Sequence, residues 1–361
     1  MTAQAALEAF TAEADRLARL CQAMAERFRV GGRLLALGVT PSERSDVRHV
    51  TVEFVHPVIV GKRALPALGI GVEGGPLEIQ LRLLAEPDDL VIAFGAAPET
   101  LAAVELARGR GCLLVDAAME GRDAFEAQER TETAYHVLWE LVHVFLEHGR
   151  GTSGAGASAF LYPSLEPASE TDVEAVVADV AASVVMKARE AEELRERTLR
   201  ENAPALEAAK AVLRERLAAG GRVLALGNGG SATDAMDLCA DLRDAGVPAL
   251  DLTEDTAVLT AIANDVGVEN VFARQVIAHG RAGDVLVALS TSGGSPNVIA
   301  ALQEARRRGL ATVALVGYDG GRIAAEDLAD HLVITPSQHI PRIQEAQATA
   351  YHALVRAVRS S

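Results

Sequence analysis

At 361 residues, with 49% hydrophobic and 23% charged residues, the chain has a globular composition and is long enough for two domains of ordinary size. A formal net charge of −16 argues against nucleic acid as a main partner, because phosphate backbones are bound by basic surfaces. The acidic N-terminal segment is unlike a basic, apolar leader, and no run of about 18 apolar residues occurs. We therefore expect a cytoplasmic protein without a membrane partner.

The chain begins with an amphipathic helical pattern and then shows an internal repeat. Apolar residues recur at helical spacing over residues 4–29, which predicts a helix that ends at the following glycines. The phrase GGRLLALG at 31–38 returns as GGRVLALG at 220–227, and QERTETAYH at 128–136 returns as QEAQATAYH at 344–352. These echoes predict a tandem duplication of one domain.

Each copy alternates short apolar runs with longer helical patterns, which predicts an α/β fold with a parallel sheet covered on both faces. We expect two tandem domains of this kind, each with five parallel strands flanked by helices. The predicted boundaries are 1–148 for the first domain and 173–361 for the second. Residues 149–172 are rich in Gly, Ser, Ala and Pro, which predicts a linker.

Two Gly/Ser-rich loops in the second copy carry the strongest chemical signal. They lie in LALGNGGSATDAMDL at 224–238 and in DVLVALSTSGGSPN at 284–297, where each follows a buried-strand pattern and opens a helix. Ser295 and Pro296 are typical N-cap and N1 residues, so the hydroxyls before them gather at the positive end of a helix dipole. This arrangement predicts a phosphate-binding loop. The alternative is that the serines only cap helices and turns. The hydroxyl residues of this loop are Ser290, Thr291, Ser292 and Ser295.

Five motifs occur in order over residues 175–358. They are GNGGSATDAMDL, AIANDVG, GDVLVALSTSGGSPNVIAAL, VALVGYDGG and RIQEAQATAYH. In these motifs the chain resembles the sugar isomerase (SIS) fold and specifically the sedoheptulose 7-phosphate isomerase, or phosphoheptose isomerase, family. The resemblance implies an aldose–ketose isomerase that acts on a phosphorylated sugar through an enediolate. It also implies a divalent metal, most simply zinc, and active sites at subunit interfaces.

The resemblance also assigns roles to individual residues. A carboxylate and a late histidine carry the proton transfers in the family, which points to Glu53 with His136 in copy one or to Asp241 with His352 in copy two. The residues that match substrate-binding positions all lie in copy two. They are Asn228, Gly229, Gly230, Ser231, Asn264, Asp265, Ser290, Thr291, Ser292, Ser295 and Gln344.

The metal pattern implied by the resemblance is His-x-x-x-Glu followed by a later Gln and His. Copy one retains it as His49, Glu53, Gln128 and His136. His49 and Glu53 lie four residues apart and would share a helix face. Copy two has Asp237 and Asp241 where this His and this Glu are expected, which puts a metal site there in doubt. For these two aspartates an exposed acidic helix face is the alternative interpretation.

The two copies have diverged in complementary ways. Copy one has GVTPS where copy two has GNGGS, and FGAAPET where copy two has LSTSGGSPN, so it has little with which to hold a phosphate. We therefore predict a composite site with the metal and base from copy one and the phosphate loop from copy two. A weaker version makes copy two self-sufficient and copy one a scaffold. A non-catalytic module that senses phosphosugars or binds proteins is the alternative function. We expect a homodimer that forms a pseudo-tetramer.

Overall fold

The computed structural model of the protein describes residues 3–59, 62–147 and 173–359. Packing divides the chain into two compact units, Met1–Glu190 and Ala191–Ser361, which we call unit 1 and unit 2. The linker predicted over 149–172 lies outside the described residues. None of the helices in the described ranges is both long enough and apolar enough to cross a membrane.

Unit 1 contains one parallel sheet in the order β2-β1-β3-β4. Its strands are β1 Leu34–Leu37, β2 Ala67–Ile70, β3 Leu90–Ala93 and β4 Leu113–Val115. Its helices are α1 Ala3–Arg29, α2 Pro41–Val55, α3 Leu77–Leu84, α4 Pro98–Gly109 and α5 Ala124–Glu147. The helix predicted over residues 4–29 is α1.

The strands of unit 1 are short apolar runs because both faces of the sheet are covered. Leu34 and Ala36 of β1 pack in a core cluster with α1, α2 and α5, whereas Leu35 and Leu37 pack in a second cluster with α3 and α4. Since successive strand residues point to opposite faces, a strand between two cores must be apolar at every position.

The helix α6, Val173–Glu201, contains the division between the units. Its first half contributes Val176, Val180 and Val184 to the same core cluster as α1 and α5. By packing, residues 173–190 therefore belong to unit 1, although the composition of the sequence suggested a domain that starts at residue 173. The boundaries drawn from the sequence stay a prediction.

Unit 2 contains a parallel sheet in the order β6-β5-β7-β8-β9. Its strands are β5 Val223–Leu226, β6 Ala249–Asp251, β7 Val285–Ser290, β8 Ala311–Gly317 and β9 His331–Thr335. Its further helices are α7 Ala203–Ala218, α8 Gly230–Asp244, α9 Thr256–Val266, α10 Val271–His279, α11 Pro296–Arg307, α12 Gly321–Ala325 and α13 Ile340–Arg359. Because β5 and β7 are adjacent and parallel, the loops that follow them leave the same edge of the sheet.

The prediction of five strands in each copy is right for unit 2 and wrong for the described part of unit 1, which has four. In unit 2 the chain passes from β8 through α12 and β9 before it reaches α13. In unit 1 only residues 116–123 connect β4 to α5, which is too short for a helix and a strand. The rest of the strand order is the same in both units.

An arginine–aspartate pair joins the start of β1 to the start of β3 in unit 1, and the start of β5 to the start of β7 in unit 2. In unit 1 the backbone N–H of Arg33 donates to Oδ1 of Asp89 at 2.8 Å, and its guanidinium donates to Oδ2 at 2.7 Å. In unit 2 the backbone N–H of Arg222 donates to Oδ1 of Asp284 at 3.1 Å, and its Nε donates to Oδ2 at 3.3 Å. The GGR phrase thus has the same structural role in each copy.

Candidate active site

The loop between β7 and α11 presents hydroxyl groups at the start of a helix. Ser295 is the N-cap residue of α11, has an extended backbone and makes no capping hydrogen bond with its side chain. Oγ of Ser290 accepts from the N–H of Gly293 at 3.1 Å, and Oγ of Ser292 accepts from the N–H of Gly294 at 3.3 Å. The loop is therefore shaped by Ser290 and Ser292, while the hydroxyl of Ser295 stays available at the positive end of the helix.

Glycine is required where this loop approaches another turn. Gly293 has a φ of +61°, and a Cβ there would lie 2.1 Å from the carbonyl oxygen of Gly320. No L-residue with a side chain fits this position without movement of the backbone. Thr291, between the two serines, is half-buried.

The loop after β5 is tied to the start of α11 by two asparagines. Nδ2 of Asn228 donates to Oδ1 of Asn297 at 3.0 Å, and Nδ2 of Asn297 donates back to Oδ1 of Asn228 at 2.8 Å. Gly229 has a positive φ of 56°, and Gly230 begins α8, with Ser231 buried behind it. The structure therefore brings the two predicted phosphate loops together.

Asn264 and Asp265 lie near the end of α9 and are both exposed. Nδ2 of Asn264 donates to Oδ1 of Asp265 at 2.8 Å. The helix that carries them is mostly apolar, yet none of its residues is buried within the chain. A role for the two side chains in sugar binding stays a prediction.

A buried acid–imidazole group lies between α8 and α13 in unit 2. Nε2 of His352 lies 3.6 Å from Oδ2 of Asp237 and 3.5 Å from Oδ2 of Asp241. The hydroxyl of Tyr351 donates to Oδ2 of Asp237 at 2.8 Å. All three members of the group are at most 6% exposed, so the interpretation of the aspartates as an exposed helix face is wrong.

Within this group, the surroundings of Asp241 favour the protonated form of its carboxyl group. Burial, and then repulsion from Asp237, raises the pKa of the Asp241 carboxyl, while His352 acts in the opposite direction. Oδ2 of Asp241 has no hydrogen-bond partner among the described residues. Asp241 is thus suited to take up and return a proton near neutral pH. One ligand atom from each member lies within 4.8 Å of the others, which also fits a divalent cation.

Gln344, predicted to bind substrate, lies on α13 two turns before His352. It is 2% exposed, and its Oε1 atom has no hydrogen-bond partner among the described residues. A buried amide oxygen without a partner is costly, so this atom has capacity for a ligand or a cation.

Unit 1 contains a second buried group, between α2 and α5. The Nε2 atoms of His49 and His136 lie 3.2 Å apart, and Nε2 of His49 lies 4.0 Å from Oε1 of Glu53. The structure thus brings together three of the four predicted metal residues. Gln128 lies two turns before His136 on α5 and is half-buried, and its role as a ligand stays a prediction.

Sequence reasoning missed Glu132. His49, Glu132 and His136 each offer a ligand atom within 4.8 Å of the others, and all three are buried. Glu132 lies four residues before His136, so the helical period alone could have placed both on one face. Neither the family pattern nor the repeat marks this position, since copy two has an alanine, Ala348, there.

The environment in unit 1 favours neutral groups. Burial, and then the neighbouring His136, lowers the pKa of the His49 imidazole well below its usual range. Burial raises the pKa of Glu53 to about 7, although His136 lowers it in part. Neutral imidazoles beside a carboxylate are ligands that zinc prefers.

The helix starts in unit 1 offer few groups to a phosphate. The Thr40 hydroxyl accepts from the N–H of Glu43, and Oε2 of Glu43 accepts from the N–H groups of Val39 and Thr40, so α2 is closed by its own capping box. Ala97 caps α4 without a side-chain hydrogen bond. The prediction of a phosphate loop in copy two alone is therefore kept as a prediction for unit 2.

Comparisons with known proteins point to one family. A family model described as a SIS domain matches residues 188–317. The phosphoheptose isomerase of Geobacter sp. (strain M21) is 47% identical over 158 residues, which are 42% of this chain and 81% of that protein. The phosphoheptose isomerase of Desulfovibrio desulfuricans is 46% identical over 177 residues, which are 47% of this chain and 83% of that protein.

A solved structure extends the likeness in fold to both units. Tagatose-6-phosphate ketose/aldose isomerase from Escherichia coli aligns with 100% of this chain and 92% of its own, with a TM-score of 0.58. At 15% identity this likeness concerns the fold alone. The coverage of both units agrees with two SIS-type domains in tandem, and the 46–47% identity to relatives that are covered over four-fifths of their length shows that the chain belongs to the phosphoheptose isomerase family.

Proposed function

We propose that this protein interconverts a phosphorylated ketose and its aldose, with sedoheptulose 7-phosphate as the ketose. Its family membership supports the reaction class, and the names of its relatives support a heptose phosphate as substrate. The observation that carries the proposal is the buried Asp241–His352 pair, because unit 2 also holds the phosphate loops. A module that only senses phosphosugars has no need of such a pair.

In this proposal the loop before α11 binds the phosphate. The Ser295 hydroxyl and the first N–H groups of α11 face a dianion without any basic side chain, as helix N-termini commonly do. The Asn228–Asn297 pair holds the neighbouring loop in register. Phosphate binding thus fixes the sugar, and the binding energy of the remote phosphate positions the reacting carbons.

Proton transfer in unit 2 needs a base and an acid. Asp241 removes a proton from C1 of the ketose while His352 protonates the C2 oxygen, which gives the neutral enediol. Asp241 then returns its proton to C2, and His352 takes up the proton from the C1 oxygen, which gives the aldose. Asp237, which accepts a hydrogen bond from Tyr351, lies 3.6 Å from Nε2 of His352 and keeps the imidazole in place.

About half of this chain matches most of the length of a relative, which supports unit 2 as a self-sufficient catalyst. About half of this chain spans more than four-fifths of each relative, and the SIS model matches residues 188–317. The shared-site hypothesis from the sequence stays a prediction, with Glu53 and His136 as the alternative base and acid.

A zinc ion in unit 1 is also part of the proposal. His49, Glu132 and His136 form a donor set typical of zinc, and Oε2 of Glu53 is buried without a hydrogen-bond partner among the described residues. Bound there, zinc would join α2 to α5 and act as a Lewis acid toward any oxygen ligand that reached it. Stabilisation of unit 1 by zinc can be measured as the change in the thermal stability of the protein with and without chelator.

The reaction is tested by incubating the protein with sedoheptulose 7-phosphate in deuterated water and following the sugar by NMR. We expect an aldose phosphate to form and deuterium to enter the carbon that receives the returned proton. A chain that binds the sugar but neither isomerises it nor exchanges its C1 hydrogen would contradict the proposal.

We further propose that the protein is cytoplasmic and forms a homodimer. The helix α9 supports the assembly, because it is mostly apolar but has no buried residue. Val266 at its end is 47% exposed, and Val268 just after it is 65% exposed. Apolar patches of this kind commonly mark interaction surfaces. Light scattering coupled to gel filtration would contradict the homodimer if it gave the mass of one chain.

A further inference from the structure

The buried group Asp237–Asp241–His352 of unit 2 lies where the family pattern has its metal residues, but its donor atoms are different. The two aspartates replace a His and a Glu, and one ligand atom from each member of the group lies within 4.8 Å of the others. Unit 2 therefore offers two carboxylates and one imidazole. The corresponding group of unit 1 offers two imidazoles and one carboxylate, from His49, His136 and Glu132.

The two carboxylates of unit 2 are buried close together. Asp237 and Asp241 are 2% and 6% exposed. Oδ2 of Asp241 has no hydrogen-bond partner among the described residues and lies 3.5 Å from Nε2 of His352, so this atom is directed into the group. Arg359, whose charge also acts on Asp241, is exposed. A divalent cation between the carboxylates would remove their repulsion and satisfy the buried oxygen.

The helix α13 carries a further oxygen atom that is suited to a cation. Since two turns separate Gln344 from His352, their side chains leave the same side of the helix. Oε1 of Gln344 is buried and has no hydrogen-bond partner in the part of the chain that the structure describes. Amide oxygens are common ligands of hard cations, so Gln344 would add a ligand without adding charge.

The donor atoms separate the two units by the cation that each one suits. Carboxylate and carbonyl oxygens suit Mg²⁺, Ca²⁺ and Mn²⁺, whereas imidazole nitrogens suit zinc. Ca²⁺ takes about six to eight oxygen ligands, which favours the smaller Mg²⁺ and Mn²⁺ for this compact group. Because zinc binds most donor sets more tightly than Mn²⁺ does, the property that distinguishes the units is whether Mn²⁺ binds at all.

We propose that Asp237, Asp241 and His352 bind a hard divalent cation of the Mn²⁺ type, which the nitrogen-rich group of unit 1 does not hold. At Asp241 this cation competes with the proton, so its binding inhibits proton transfer. The inhibition rests on the proposed function, whereas the binding does not depend on any reaction.

The test is a calorimetric titration of the full-length protein, freed of metal by chelator, with Mn²⁺ and no sugar. We expect one site per chain that Asp241→Asn weakens by about tenfold or more, because a charged ligand is lost. His49→Ala, which changes unit 1, should leave the affinity for Mn²⁺ unchanged. Asp244→Asn is the matched control, since it removes the same charge from an exposed position on the same helix.

A folding defect can be separated from the loss of a ligand. Asparagine has the shape of aspartate, and the change removes repulsion between two buried carboxylates, so Asp241→Asn should melt at or above the temperature of the metal-free wild type. His352→Gln, which removes the imidazole, should also weaken Mn²⁺ binding.

Three results would overturn the proposal. An unchanged affinity in Asp241→Asn and His352→Gln would remove the cation from this group, and a loss of binding in His49→Ala would place it in unit 1. An equal loss in Asp244→Asn would show that Mn²⁺ only screens the net charge of −16. If the protein isomerises the sugar, a turnover that rises with Mn²⁺ would contradict the inhibition, while absence of any turnover would count against the proposed function and not against the site.

Discussion

At the scale of single residues, the two buried groups differ in the kind of atom they offer. Unit 2 brings two carboxylates to one imidazole, whereas unit 1 brings two imidazoles to carboxylates. The first arrangement favours proton transfer, because repulsion between carboxylates raises the pKa of one of them. The second favours a metal that prefers nitrogen ligands.

Ser295→Ala should weaken the binding of sedoheptulose 7-phosphate by about tenfold or more, since a hydrogen bond to a dianion contributes roughly 1.5–3 kcal/mol. Calorimetry measures the affinity. Ser183→Ala is the matched control, because the Ser183 hydroxyl donates to the carbonyl of Asp179 on α6 and is remote from the loop in sequence. Equal affinity in Ser295→Ala and wild type would remove the phosphate from this loop.

His49→Ala should abolish zinc binding in unit 1, while His56→Ala, at an exposed position just after α2, should retain it. Elemental analysis after growth with zinc provides the measurement. Glu132→Gln should lower the zinc content more than Gln128→Ala, because Glu132 is a member of the buried ligand group. A full metal complement in His49→Ala would show that the site is wrongly placed.

At the scale of elements, the Arg33–Asp89 pair joins the start of β1 to the turn before β3. Burial alone would raise the pKa of Asp89, but hydrogen bonds from Arg33 and from the N–H of Glu86 lower it overall. A carboxyl with a lowered pKa contributes stability above its unfolded pKa, and this contribution is lost as the pH falls through the folded value.

Asp89→Asn should therefore lower the free energy of unfolding of unit 1 by about 1–3 kcal/mol at pH 7, the usual effect of removing hydrogen bonds to a charged group. The loss should shrink in acid, once the pH has fallen below the ordinary carboxyl pKa and through the lowered folded value. Urea titrations at pH 7 and at an acid pH in this range provide the test. Asp88→Asn is the control, since Asp88 is exposed and its ion pair with Arg27 should contribute little. A loss of the same size at both pH values would show that the charge is not what matters.

Much of each element could be predicted from the sequence, for identifiable reasons. Strands β1 and β5 could be predicted because each is a short apolar run that comes directly after the repeated GGR phrase. The described part of unit 1 has no fifth strand, and predicting this required the short connection at 116–123 to be weighed against the repeat. Glu132 was missed because the repeat was compared through the family pattern, which does not mark its position. The partner of Tyr351 could not be found from sequence, because hydrogen bonds between α8 and α13 depend on how the helices pack.

At the scale of the whole molecule, the chain has two SIS-type units that differ in their candidate functional groups. Unit 2 has both predicted phosphate loops and the Asp241–His352 pair. Unit 1 has a nitrogen-rich group that could hold a metal, and the start of its α2 is closed by a capping box. This division accounts for relatives that match about half of the chain while being covered over most of their own length. It supports our proposal that unit 2 is the catalyst and that unit 1 is a companion which a bound metal would stabilise.

We propose Asp241 as the catalytic base, and a comparison of two conservative variants tests this role. Turnover of sedoheptulose 7-phosphate, measured by NMR, should fall by about 10²-fold or more in Asp241→Asn, with phosphosugar affinity nearly intact, because the change removes a base and not a binding group. Glu53→Gln should retain most of the activity. An active Asp241→Asn together with an inactive Glu53→Gln would instead assign the base to unit 1.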